Sequence, residues 1–135
     1  MKTFTFRRYS QRLALGFGLL AGLAILPACR TVMVDRESST IGRVRLGELQ
    51  VFANHDFETV YQAAKAGLAS RKLFLTQDDK KYAEAELRAR DSGDTLIIVK
   101  IKEVARDRTS VKVRYGIPGD TANAELLYRE IGKRL

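Results

Sequence analysis

Residues Ala83–Tyr115 read AEAELRARDSGDTLIIVKIKEVARDRTSVKVRY. The first eight alternate strictly: Ala83, Ala85, Leu87 and Ala89 share one face, and Glu84, Glu86, Arg88 and Arg90 share the other. Asp91-Ser92-Gly93-Asp94 has turn chemistry. Leu96–Ile101 (LIIVKI) is a β-branched, nearly continuous apolar run, as a buried strand requires. Arg106-Asp107-Arg108 forms a second turn, after which Thr109, Val111, Val113 and Tyr115 alternate with Ser110, Lys112 and Arg114. Strands joined by tight turns, each with one polar face, predict an antiparallel sheet with one side in water. Small residues at three of the four inner positions of the first strand predict a closely packed helix.

On the N-terminal side, Leu73, Leu75 and Gln77 start another strand that leads to a polar turn, Asp78-Asp79-Lys80-Lys81. Before it, Phe57, Val60, Tyr61, Ala64 and Leu68 recur at helical spacing, predicting a helix from about Phe57 to Arg71 with Asp56 as its cap. Arg43–Ala53 alternates, with Val44 and Leu46 on one face. The phase changes at Gly47-Glu48, which predicts a bulge or turn, and Leu49, Val51 and Ala53 follow. At the C-terminal side, Gly116-Ile117-Pro118-Gly119-Asp120 closes the last strand. Ala124, Leu127, Tyr128, Ile131 and Leu135 then form an amphipathic helix capped by Asp120 or Thr121. The expected fold class is α+β. It is a two-layer sandwich with a mainly antiparallel sheet of four to five strands and two helices on one face, in the order β-α-β-β-β-β-α.

The 135 residues allow one domain. There are 24 Lys+Arg against 16 Asp+Glu, a net charge of +8, but the excess is unevenly placed. No acidic residue precedes Asp35, whereas Lys2, Arg7, Arg8 and Arg12 lie in the first twelve positions. Without the first 28 residues the chain keeps 20 basic and 16 acidic groups, a net charge of +4. One Cys excludes an intramolecular disulfide framework, and one His with no Trp leaves little for metal or general-base chemistry.

Met1–Arg12 is cationic, and Leu13–Ile25 (LALGFGLLAGLAI) is apolar. Its thirteen residues suit a signal-peptide core of roughly 7–15. They fall short of the ~20 needed to span a bilayer as a helix. Arg7-Arg8 raises a twin-arginine signal, but Tyr9-Ser10-Gln11 matches that motif poorly and the general secretory route is favoured. Leu26-Pro27-Ala28-Cys29 resembles a bacterial lipobox, Pro27 being the unusual member. The resemblance implies cleavage between Ala28 and Cys29 and a diacylglyceryl group on the Cys29 thiol, with a further chain, such as palmitate, on its amine. Several chains are needed for stable attachment. Arg30 follows the cysteine, where inner-membrane lipoproteins carry Asp. By that analogy the protein faces the periplasm from the outer membrane. The division expected is a signal peptide over 1–28, a lipidated tether over 29–42 that includes the polar Thr31–Gly42, and a small α+β domain over 43–135.

Leu46–Leu135 resembles a family of small bacterial lipoproteins classed as a domain of unknown function. The resemblance rests on Gly47-Glu48-Leu49, on Val60, Tyr61 and Ala64, and on Val113-Arg114-Tyr115-Gly116 followed by Gly119-Asp120. It implies the topology above and no particular activity.

The residues themselves give Gly116 and Gly119 the role of positive-φ turn positions, and Asp120 that of a helix cap. Because Asp120 sits where an anion would bind, an anion site at that helix start is disfavoured. Glu84 and Glu86 share a strand face with Arg88 and Arg90, which reads as a charge-balanced surface rather than a catalytic pair. His55 is a loop histidine. No nucleophile elbow, Walker loop or dinucleotide fingerprint occurs. Catalytic residues, metal ligands and cofactors are therefore assigned as none. Lys100, Lys102, Lys112 and Arg114 share a phase on pairing strands and form a candidate basic patch. For an exported protein this patch points to an envelope protein or anionic lipid, and away from nucleic acid. The leading expectation is a lipid-anchored, non-catalytic envelope protein. The alternatives are an inner-membrane protein with an uncut anchor and an envelope enzyme.

Overall fold

The computed structural model describes residues 30–35 and 40–135. The signal peptide expected over 1–28, the cleavage position expected at Ala28 and the lipidation expected at Cys29 fall outside the described residues.

Among the described residues, seven strands and two helices follow one another: β1 (Arg30–Asp35), β2 (Thr40–Arg45), β3 (Glu48–Ala53), α1 (Phe57–Ser70), β4 (Phe74–Lys80), β5 (Glu84–Arg90), β6 (Leu96–Ala105), β7 (Arg108–Tyr115) and α2 (Thr121–Gly132). They form one sheet in the order β1-β2-β3-β7-β6-β5-β4, and every neighbouring pair is antiparallel. The α+β class holds. The expected four to five strands are seven.

The core lies between the sheet and the two helices. From the sheet it takes Leu49 and Val51 of β3, Leu87 of β5, Ile97, Val99 and Ile101 of β6, and Val111 and Val113 of β7. The helices add Val60, Ala64 and Leu68 from α1 and Leu127 and Ile131 from α2. Each large aliphatic side chain so buried contributes roughly 1.5–3 kcal/mol. Ala85 and Ala89 are buried beside Leu87, which leaves room for α1 to lie close to β5. The helices also touch each other closely. A Cβ on Gly67 would stand 2.8 Å from Cγ1 of Ile131, so the contact needs a residue with no side chain there. Both caps have carboxylates: Asp56 accepts from the Thr59 amide at 3.0 Å, and Asp120 from that of Asn123 at 3.1 Å.

Three expectations need correction. The tether expected over 29–42 is, in its described part, the strand β1 and the start of β2. Its polar composition hid a hairpin whose outer face is in water. Of the bulge or turn expected at Gly47, the structure has the turn, two residues between β2 and β3, and what changes is the place of Leu46. Arg45 pairs with Glu48, and Leu46 and Gly47 both have positive φ (51° and 73°), as a tight hairpin with the sheet's twist requires. Leu46 is thus an exposed turn residue and not part of the inner face.

Third, Asp78–Lys80 continue β4 and are not a turn. The register shifts between Leu75 and Gln77, leaving Thr76 as the extra residue of a bulge. The Thr76 hydroxyl donates to the Arg88 carbonyl at 3.1 Å. The shift brings Asp78 opposite Leu87 and Lys80 opposite Ala85, so both point to the helix side. There Asp78 accepts from the Tyr61 hydroxyl at 2.7 Å and from Lys65 at 2.9 Å, while Lys80 donates to Glu58 at 2.6 Å. Lys80 also lies 4.5 Å from the centre of the Tyr61 ring. At this edge α1 and the sheet are joined by polar contacts instead of apolar ones.

The hydrogen bond from Lys65, and after it that from Tyr61, lowers the Asp78 pKa below the usual 3.8. A carboxylate depressed on folding stabilises the protein above its unfolded-state value, and that contribution disappears as pH falls through the folded value. The cluster is partly open to solvent, so Asp78→Ala is expected to cost about 1 kcal/mol at neutral pH. Urea unfolding at pH 7 and below pH 3 should show this difference shrinking in acid; a cost that is the same at both pH values would contradict the assignment.

Candidate functional site

Two helices cover one side of the sheet and leave the other open. Register rows carry the candidate residues across this open side. One row runs Arg43, Gln50, Lys112, Lys100, Glu86, Asp79, and the next runs Arg45, Glu48, Arg114, Ile98, Arg88, Gln77. Lys102 stands between Ser110 and Glu84. The four residues of the candidate patch, Lys100, Lys102, Lys112 and Arg114, therefore share the open face on β6 and β7. Lys100 and Lys112 are directly opposite each other.

Carboxylates flank these cations on both sides. Glu86 bonds Arg88 at 2.6 Å and lies 3.5 Å from Lys100. Glu48 lies 3.7 Å from Lys112 and 3.9 Å from Arg114. The hydrogen bond from Arg88 holds the Glu86 carboxyl below its ordinary pKa, so it is ionised at neutral pH. The face is consequently a mosaic of both signs, with cations at its centre and acids on β3 and β5. Sequence phase identified the cations but not Glu48 as their counter-charge, because that depends on β3 pairing with β7.

A hollow of about 460 Å³ is lined by Gln50, Asp79, Glu84, Glu86, Lys100, Lys102 and Lys112, among others. At its floor, buried Ser110 accepts a hydrogen bond from Gln50 at 3.1 Å. Glu84 and Glu86 thus do line one depression, but in company with lysines that neutralise them. Among the described residues no group of three or more His, Cys, Asp or Glu could hold a metal ion. His55 lies in the connection before α1, where its backbone carbonyl accepts from Thr109 at 2.9 Å.

The Gly116–Asp120 turn forms a second, smaller feature. Gly116 and Gly119 have φ of 73° and 126°. Gly119 packs directly on Gly47, and a Cβ on either would run into the other turn's backbone. Beside this junction the Tyr115 hydroxyl donates to Asp91 at 3.0 Å, and Asp91 also accepts from the amides of Gly93 and Thr95. The Asp120 carboxylate is taken up by the amide and side chain of Asn123. What the turn contributes is a rigid junction between two loops.

Fold and face together define a small two-layer α+β protein with an open, charged antiparallel sheet. The chain belongs to the family described as Protein of unknown function (DUF3568), whose model matches residues 13–134. No curated protein matches it.

The ion pairs of the open face are partly exposed, and such pairs contribute about 1 kcal/mol or less each. Replacing both acids, Glu48→Gln with Glu86→Gln, should leave the denaturation midpoint little changed while delaying elution from a cation exchanger. Unaltered elution would show that these carboxylates do not balance the patch.

Proposed function

We propose that this is a lipid-anchored protein of the bacterial outer membrane, facing the periplasm, with a binding or structural role and no catalysis. The observation that carries this reading is the order of the leader: four cations, a thirteen-residue apolar run, then Leu26-Pro27-Ala28-Cys29. The family match begins at residue 13, inside the apolar run, which supports leader and domain as parts of one shared design. Among the described residues no helix is long and apolar enough to cross a membrane. In this reading the anchor is the acylated Cys29.

The binding role belongs to the open sheet face. A hollow lined by lysines on one side and carboxylates on the other suits the surface of an envelope protein that also presents both signs. An enzyme relying on Glu86 as a proton donor would need a raised pKa, and Arg88 lowers it instead.

The test is the intact mass of protein extracted from envelopes. The expected species starts at Cys29 and carries added acyl mass, and Cys29→Ser abolishes palmitate incorporation. A chain that starts at Met1 with a free thiol would overturn the anchor and favour an uncut membrane-held leader.

A further inference from the structure

The register locates the point where the anchor joins the fold. Arg30 pairs with Val44, so the chain enters β1 at the end of the sheet that carries the Leu46-Gly47 turn. Glu48 pairs with Arg114, so β7 finishes at the same end, and the Ile117-Pro118 turn projects there too. The Gly47–Gly119 contact fixes the two turns side by side. Their tips are apolar and open to solvent: Leu46 is 75% exposed and Ile117 is 85% exposed. Around them, Arg30, Arg43 and Arg45 are all exposed. A single exposed apolar residue is unremarkable on a protein surface. Here two of them, locked together, with arginines on the Leu46 side and the Asp91 and Asp120 carboxylates near Ile117, stand where the polypeptide leaves for Cys29.

Because β1 starts at Arg30, no tether separates the sheet from Cys29. Consecutive Cα atoms are about 3.8 Å apart, whereas a free tether over 29–42 would reach about 45 Å. We infer that this end of the sheet rests on the bilayer, with Leu46 and Ile117 in the head-group–acyl boundary and Arg30, Arg43 and Arg45 at the level of the lipid phosphates. Interfacial segments combine apolar residues with a basic border in this way, and anionic lipids strengthen their hold. The inference builds on the anchoring reading. It adds an orientation: the open sheet face stands upright beside the membrane, free to meet a partner.

The opposite end provides an internal control. Tyr82, in the β4–β5 turn, is 98% exposed, and Val104, near the β6–β7 turn, is 49% exposed. If apolar tips entered lipid indiscriminately, these would do so as well.

The experiment uses the full protein purified with its anchor and placed in vesicles of phosphatidylethanolamine and phosphatidylglycerol. Leu46→Cys, Ile117→Cys, Tyr82→Cys and Val104→Cys variants each carry a nitroxide label, the acylated Cys29 being blocked. Accessibility to oxygen is compared with accessibility to a water-soluble nickel chelate. The labels at 46 and 117 should favour oxygen several-fold over those at 82 and 104, and should shift toward water in uncharged phosphatidylcholine vesicles. Equal, water-like accessibility at all four positions in acylated protein overturns the docking and leaves the anchor intact. If the mass shows an uncut leader instead, the anchoring reading fails. The same labels, on a Cys29→Ser background, then still decide whether this end meets lipid: lipid-like values at 46 and 117 support the docking, and water-like values refute it.

Discussion

The width of the sheet against the width of its helical cover governs this structure. Seven strands spaced about 4.8 Å apart span roughly 29 Å. Two helices packed 8–10 Å apart cover only about 20 Å. Every large sheet residue in the core accordingly comes from β3, β7, β6 and β5, the four central strands. The edges must be finished by other means. On one side the Thr76 bulge turns Asp78 and Lys80 toward α1, where Tyr61, Lys65 and Glu58 receive them. On the other, β1 and β2 add backbone pairing, and Val44 of β2 packs against the core.

The same limit explains what could be read from the sequence. The central strands are covered on one face, so Leu49, Leu87, Val99 and Val113 fall at a clean period of two, and both helices show their apolar stripes. At the edges that requirement lapses. β1 and β2 place Gly42 on the inner side and Met33 and Ile41 on the outer one, so their pattern resembles a polar linker. In β4 a single extra residue reverses the phase halfway along, and Asp78-Asp79-Lys80 then looks like a turn. The cations of the open face were visible from their shared phase. Their balance by Glu48 was not, because β3 and β7 are paired across sixty residues of intervening chain.

The additional hairpin changes the functional picture. A domain on a long leash could sample the space between membranes. If Cys29 is acylated as proposed, a sheet that begins at Arg30 would be held at the lipid surface in a defined attitude. The Gly47–Gly119 junction then has two consequences. It joins the C-terminal turn to the β2–β3 turn, and it sets two apolar tips at one height beside the point of attachment. Under that proposal the charged open face would be presented sideways from the membrane.

The direct test of this account is amide hydrogen exchange along β1 and β2 in the folded protein, read residue by residue. Sheet membership predicts slowed exchange for the amides of Arg43 and Val44, which are paired on both sides, for that of Arg45, paired with Glu48, and for alternate amides of Arg30–Asp35 and Thr40–Gly42, alongside strong protection in β3, β7 and β6. Exchange at unstructured-chain rates throughout residues 30–45, with the central strands still protected, would restore a flexible leash and remove the basis for a fixed orientation.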